Sequence, residues 1–177
     1  MRICVYCASS VRIDPSYLTL ARAVGKTLAA RGHSLVSGGG SISSMGELAR
    51  AARAGGAHTT GVIPRALMTT ELADHDADEL IVTGGMRDRK ALMDQRSDAF
   101  LVLPGGIGTL EEMLEIWTSR TLGMHQKPLV LLDPDGFWKP FQELVDALVD
   151  RGFARATVKD HLAWATSVTE AFELLET

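Results

Sequence analysis

At 177 residues, with 46% apolar and 23% charged positions, the chain has the composition of a single globular domain spanning residues 1–177. It is large enough to bury a core without disulfides or a structural metal. Its 18 Lys and Arg against 22 Asp and Glu give a net charge of −4, which argues against a protein that grips the phosphate backbone of a nucleic acid. No apolar run approaches the roughly 20 residues of a membrane span, and the opening residues lack the hydrophobic stretch of a secretory signal, so a cytoplasmic protein with no membrane partner is expected.

Short apolar runs alternate with helical stretches along the whole chain. Strands are predicted at Arg2 to Cys7, Ser34 to Ser37, His58 to Ile63, Glu79 to Val82, Ala99 to Leu103, Pro128 to Leu132 and His161 to Trp164. The runs Phe100-Leu101-Val102-Leu103 and Leu129-Val130-Leu131-Leu132 are continuous rather than alternating, as in a parallel strand covered on both faces. Asp14-Pro15 opens the first helix, with Asp as cap and Pro at the first helical position, and Gly32 closes it. Further helices are expected at Ser44 to Ala54, Met86 to Arg96, Thr109 to Thr121, Phe137 to Asp150 and Val168 to Leu175. This alternation predicts an α/β, Rossmann-like, doubly wound and mostly parallel sheet of about seven strands with helices on both faces. Cys4 and Cys7 form a C-x-x-C without a second ligand pair, which predicts two small buried side chains on the first strand rather than a metal or redox site.

Two glycine clusters fall where a strand gives way to a helix. The first is Ser37-Gly38-Gly39-Gly40-Ser41 and the second Pro104-Gly105-Gly106-Ile107-Gly108-Thr109. Glycine lets a ligand approach the backbone closely, and the helix behind each loop presents unpaired N–H groups at the positive end of its dipole. Together the loops suggest a phosphate-bearing ligand held between them. The second loop lacks the Lys-Ser/Thr of a nucleotide-triphosphate P-loop and the third glycine of a dinucleotide fingerprint.

Thr109 to Glu112 reads as a capping box, which gives Glu112 a structural role. Against that, Leu110, Met113, Leu114 and Trp117 make the expected buried stripe, and Glu112 lies off it beside the glycine loop. In Met86-Arg87-Asp88-Arg89-Lys90 the bases sit at a helix start, where the dipole disfavours them; an anionic partner for one of them is expected.

These motifs resemble the Lonely Guy family of nucleoside 5′-monophosphate phosphoribohydrolases, long mislabelled as lysine decarboxylases. Pro104 to Glu112 fits its P-G-G-x-G-T-x-x-E motif, and the likeness extends to the Cys7-Ala8-Ser9-Ser10 opening, the Ser37 to Gly40 loop with Met45-Gly46, Arg89-Lys90, Lys127-Pro128 and Asp135-Gly136-Phe137. The resemblance implies a Rossmann-like homodimer with its site near the subunit interface, and no cofactor or metal. It implies Arg89 and Glu112 as catalytic residues. As substrate-binding residues it implies Glu71, Lys90, Thr118, Gly39, Gly40 and Met45, with Gly105, Gly106, Ile107, Gly108 and Thr109. In one place the chain departs from the pattern: many relatives read G-G-G-x-x-G-x-M-G, whereas Ser43-Ser44 precedes Met45-Gly46 here.

The implied reaction is hydrolysis of the N-glycosidic bond of AMP or an N6-modified AMP, giving free base and ribose 5-phosphate. The 5′-phosphate is expected on the Gly106, Gly108 and Thr109 amides, with Arg89 keeping Glu112 ionised under an oxocarbenium-like C1′. The alternative is a non-catalytic nucleotide or molybdenum-cofactor carrier or sensor. Decarboxylation would need a lysine for pyridoxal phosphate, and no lysine stands out. The histidines and the acidic run Asp74 to Glu79 are expected at the surface; Trp117, Trp138 and Trp164 in the core or at an interface. Met68, Met86 and Met93 are read as core filling, with a prenyl-lining role as the alternative.

Overall fold

The computed structural model describes residues 1–177. Seven strands form one sheet: β1 (Arg2–Tyr6), β2 (Ser34–Ser37), β3 (Thr59–Pro64), β4 (Glu79–Thr83), β5 (Ala99–Val102), β6 (Leu129–Leu132) and β7 (Ala163–Ala165). Their order is β4-β3-β2-β1-β5-β6-β7 and every pairing is parallel. The helices are α1 (Pro15–Ala30), α2 (Ser43–Ala54), α3 (Met86–Gln95), α4 (Ile107–Thr121), α5 (Lys139–Asp150) and α6 (Val168–Leu175), with short 3-10 turns at Arg65–Leu67 and Ala156–His161. No helix is long and apolar enough to cross a membrane.

Alternation along each strand divides the core in two. Ile3, Val5, Leu35, Leu101 and Val130 face α1, α2 and α6, where Leu28, Leu48 and Phe172 meet them. Cys4, Tyr6, Val36, Phe100, Leu129 and Leu131 face α3, α4 and α5, where Met93, Met113, Trp117 and Val145 pack. A parallel sheet covered on both sides needs apolar residues at every position, which is why its strands read as continuous runs. Helices α1 and α2 cross closely because residue 25 is glycine: a Cβ there would lie 2.4 Å from the Leu48 carbonyl oxygen.

The winding direction reverses at β1. The chain moves outward from β1 to β4, then returns to lay β5 on the other side of β1. In such sheets a crevice opens beyond the carboxyl ends of the strands at the reversal. Here it lies between the segment after Tyr6 and the glycine loop after Val102.

The structure corrects four local expectations. Helix α4 starts at Ile107, with Gly106 as an extended N-cap that makes no side-chain bond, so Thr109 and Glu112 do not form the capping box. Thr109 instead lies in the first turn, buried, with its side chain over Gly105. Leu114 is 41% exposed, so the buried stripe of α4 runs through Thr109, Met113, Ile116 and Trp117. Asp74 is buried rather than solvated, because it accepts two bonds from Arg53 at 2.8 and 3.1 Å. His33 is buried against Phe172, with its Nε2 2.8 Å from Glu176. Cys4 and Cys7 are buried, as expected, Cys4 on β1 and Cys7 just after its end, and burial pushes both thiols well up from their ordinary range.

Candidate active site

A cavity of about 460 Å³ occupies the crevice, within the range of small-molecule sites. Three strand ends and the starts of four helices build it. Cys7 to Ser10 and Ile13 come from the β1–α1 connection and Tyr17 from the start of α1; Pro104 to Gly106 come from the β5–α4 connection, and Ile107 to Thr109 with Glu111 and Glu112 from the start of α4; Phe137 comes from the loop after β6. Met45, Leu67, Glu71, Met86 and Arg89 complete the lining.

The second glycine loop leaves the helix start bare. The first bond of the α4 ladder runs from the Leu110 amide to the Gly106 carbonyl at 3.0 Å, so the N–H groups just ahead of Leu110 have no ladder partner. Gly106 and Gly108 are exposed and Ile107 is 85% exposed. A turn of uncapped amides opening on a cavity at the positive end of a helix dipole is suited to an anion. Gly105 is required for the turn, since a Cβ there would come within 2.2 Å of Thr109 Oγ1.

Arg89 is 3% exposed and enters from the first turn of α3. Its Nε donates to the Val62 carbonyl at 3.1 Å. Its Nη2 donates to the Gly38 carbonyl at 2.9 Å and to Glu71 Oε2 at 3.4 Å. Gly38 is glycine because a Cβ would sit 1.9 Å from that Nη2. The other arm, Nη1, meets the Met86 sulfur at 3.9 Å and is the one free to meet a ligand. Glu71 is the anionic partner that the helix-start bases called for.

Glu112 stands in the first turns of α4, half-buried at the cavity wall. Its carboxyl is pushed up to about 7, chiefly because burial disfavours the charge; Arg89 opposes this, while Glu111 and Glu71 add to it. This reverses the expectation that Arg89 keeps Glu112 ionised. The guanidinium's ion pair is with Glu71, and desolvation outweighs its more distant pull on Glu112. At neutral pH the carboxyl can therefore both hold and release a proton.

The cavity brings together Arg89, Glu112, Glu71, Met45 and the Gly105 to Thr109 loop. Gly39 and Gly40 lie behind it. Gly39 takes a positive φ of 74° against β3, and Gly40 packs on Met45 and Glu71, so they shape the wall rather than line it. Lys90 and Thr118 are outside. Lys90 pairs with Glu111 and Glu115, and Thr118 faces outward beside Ile107, Leu110 and Leu114. Sequence reasoning did not single out Ser9, Ser10, Ile13, Tyr17, Leu67 or Phe137 as lining residues. The rule that ligands sit beyond strand carboxyl ends would have found Ser9, Ser10 and Phe137; Leu67 sits in a short 3-10 turn with no periodic signal. Of the three methionines, Met86 lines the cavity at 44% exposure while Met93 is core.

A family model described as "Possible lysine decarboxylase" matches residues 45–175. The chain is 48% identical over 169 residues to a cytokinin riboside 5′-monophosphate phosphoribohydrolase of Mycobacterium tuberculosis, covering 96% of this chain and 90% of that protein. It is 44% identical to the enzyme named LOG of Oryza sativa subsp. japonica, over 99% of this chain and 72% of that one. Among solved structures, the molybdenum cofactor carrier protein of Chlamydomonas reinhardtii superimposes with a TM-score of 0.74 at 26% identity, over 99% of this chain and 95% of that one. The molybdenum cofactor binding protein of Rippkaea orientalis gives 0.75 at 24% identity over 99% and 94%, a likeness of fold. No lysine lines the cavity, so a pyridoxal phosphate Schiff base, which decarboxylation of lysine requires, has no anchor there.

Proposed function

Because the chain belongs to the LOG family of cytokinin riboside 5′-monophosphate phosphoribohydrolases, we propose that it hydrolyses the N-glycosidic bond of N6-modified AMP or AMP. Water and the nucleotide give free base and ribose 5-phosphate. One observation carries the reading: an uncapped helix start, a buried arginine with one free arm, and a carboxyl poised near pH 7 line the same cavity. A carrier can use the first two, which bind an anion, but has no use for a carboxyl poised to hold or release a proton. The identity to the hydrolases, at 48%, also exceeds that to the carrier, at 26%.

In this reading the 5′-phosphate takes the amides of Gly106, Gly108 and Thr109, and the ribose is anchored over Glu112. As the bond from C1′ to the base nitrogen breaks, its electron pair leaves with the base and positive charge grows at C1′. The Glu112 carboxylate stabilises that charge and orients the incoming water. Water oxygen bonds to C1′, and one of its protons balances the departing base. Arg89 Nη1 contacts ribose or phosphate oxygens, and Glu71, fixed by Arg89, is placed for a ribose hydroxyl or the base.

We further propose a homodimer, working in the cytoplasm, formed through the outer face of α4. Ile107 (85% exposed), Leu114 (41%), Leu122 (66%) and Met124 (72%) lie exposed on α4 or just beyond it. Lys90 and Thr118, which the family resemblance assigns to substrate, lie outside this chain's cavity, the Thr118 face against the rim at Ile107. A second copy packed there would bring its Thr118 towards the first copy's site. Light scattering should give twice the chain mass for the wild type and one chain mass for Leu114→Asp.

Incubation with AMP, N6-isopentenyl-AMP and adenosine, with chromatography of the products, tests the activity. Release of base from the monophosphates but not from adenosine is expected. Nucleotide binding without base release would establish the carrier instead.

A further inference from the structure

One residue near the cavity is held in a conformation its side chain resists. Ser43, the first residue of α2, has φ of +56°, in the left-handed region that glycine enters freely and other L-residues rarely do. It stands where the sequence departs from the glycine pattern of the family. The cost is compensated by a specific bond: Ser43 Oγ donates to the Ser10 carbonyl at 2.6 Å, across 33 residues of chain. A residue kept in strain points to a role when the surroundings use it.

The surroundings do use it. Ser9, Ser10, Ile13 and Tyr17 form the β1–α1 wall of the cavity. That wall is tied at its far end by Tyr17, whose hydroxyl donates to Asp135 Oδ2 at 3.0 Å and whose ring meets Phe137 edge-on at 5.9 Å. At its near end the tie to the rest of the fold is Ser43. The neighbouring Ser41 fastens the other side, with its amide and hydroxyl both donating to the Leu72 carbonyl beside Glu71. The first glycine loop and the start of α2 behind it therefore hold Arg89 through the Gly38 carbonyl, the Glu71 segment through Ser41, and the Ser9–Ile13 wall through Ser43.

We propose that Ser43 is a positioning residue that fixes the Ser9–Ile13 wall against the bound nucleotide, accepting backbone strain to do so. This rests on the nucleotide-cleaving reading of the cavity. Because the wall does not include Glu112 or Arg89, losing the tie weakens substrate binding without slowing the chemical step.

The test compares Ser43→Gly and Ser43→Ala with wild type. Both remove the hydroxyl; only the glycine relieves the strain. Both variants should raise KM for AMP about 5-fold, the factor one neutral hydrogen bond supplies, with kcat within about twofold of wild type. Ser43→Gly should melt no lower than wild type, and Ser43→Ala should melt lower than Ser43→Gly. Hydrogen exchange of the peptide spanning residues 9–13, without nucleotide, should quicken in both. Unchanged KM and exchange in either variant would overturn the proposal, as would a kcat that falls in step with the melting temperature, which is the mark of general damage. Wild-type protein that releases no base from any nucleotide would defeat the hydrolase reading instead. The exchange of residues 9–13 and the affinity for AMP would still judge Ser43.

Discussion

Replacing Glu112 by glutamine should stop the reaction and stabilise the protein, and the size of the gain follows from its surroundings. The carboxyl rises from an ordinary 4.5 to about 7 on folding because the cavity wall desolvates it. The folded state therefore binds a proton more tightly than the unfolded chain does. Between those two values the native protein holds more protons than the unfolded one, so stability falls as pH rises from about 4.5 through about 7. A displacement of about 2.5 at about 1.4 kcal/mol per unit is about 3 kcal/mol, and water reaching the cavity lowers this to about 2 kcal/mol. Glutamine carries no charge to desolvate. At pH 8 Glu112→Gln should melt about 4–8 °C above wild type, at 2–4 °C per kcal/mol for a chain this size, and at pH 4.5 the two curves should meet. Thermal melts by circular dichroism from pH 4.5 to 8 measure this. Equal melting temperatures across that range, or a variant that melts lower at pH 8, would refute the burial argument. If the carboxylate is the working form, wild-type kcat should also rise through pH 7, and the variant should show no such rise.

Two further perturbations probe the frame around that carboxyl. Arg89→Ala should both abolish base release and destabilise the domain by about 3–5 kcal/mol, since it strips donors from the buried Val62 and Gly38 carbonyls and leaves Glu71 without its ion pair. Denaturant melts should show Arg89→Lys losing less stability than the alanine while remaining impaired, because one ammonium cannot reach three acceptors; a fully active lysine variant would remove the guanidinium from the account. Gly105→Ala should lower AMP affinity at least tenfold by calorimetry, because its Cβ would displace the Thr109 side chain at 2.2 Å and distort the first turn of α4. Unaltered affinity would mean that the phosphate does not sit there.

The fold was largely legible because its signals are redundant. Continuous runs such as Phe100 to Leu103 and Leu129 to Leu132 can be satisfied only between two helical layers, and the sheet buries both inside it, β5 beside the central β1 and β6 next to β5. Boundaries slipped where competing chemistry was available. Thr109 has the side chain of a cap, yet Gly106, three residues earlier, takes the extended cap conformation, and the threonine is turned inward over Gly105. Asp74 reads as part of a solvated acidic run because nothing local reveals Arg53, which reaches it from α2.

The candidate site was legible in part for the same reason. Glycine loops at strand ends are local features, and the approach of both loops to one crevice follows from the order of the strands. The pairing of Arg89 with Glu71 and the two carbonyl anchors of its guanidinium depend on contacts 18 to 51 residues apart. So does the desolvation that lifts Glu112, which no spacing encodes. Lys90 and Thr118 were expected at the ligand and lie outside the cavity, Lys90 largely covered between Glu111 and Glu115 and Thr118 on the outer face of α4, where only an assembly could return the threonine to it. The tie from Ser43 to Ser10 could not be read from the serine alone, because its value comes from a positive φ and a carbonyl 33 positions earlier.

A crystal structure of Glu112→Gln with AMP bound would show where the nucleotide sits. Phosphate oxygens are expected within hydrogen-bond distance of the Gly106, Gly108 and Thr109 amides, C1′ beside residue 112, and Arg89 Nη1 on a ribose or phosphate oxygen. Nucleotide density remote from the start of α4, or residue 112 turned away from the sugar, would contradict this placement.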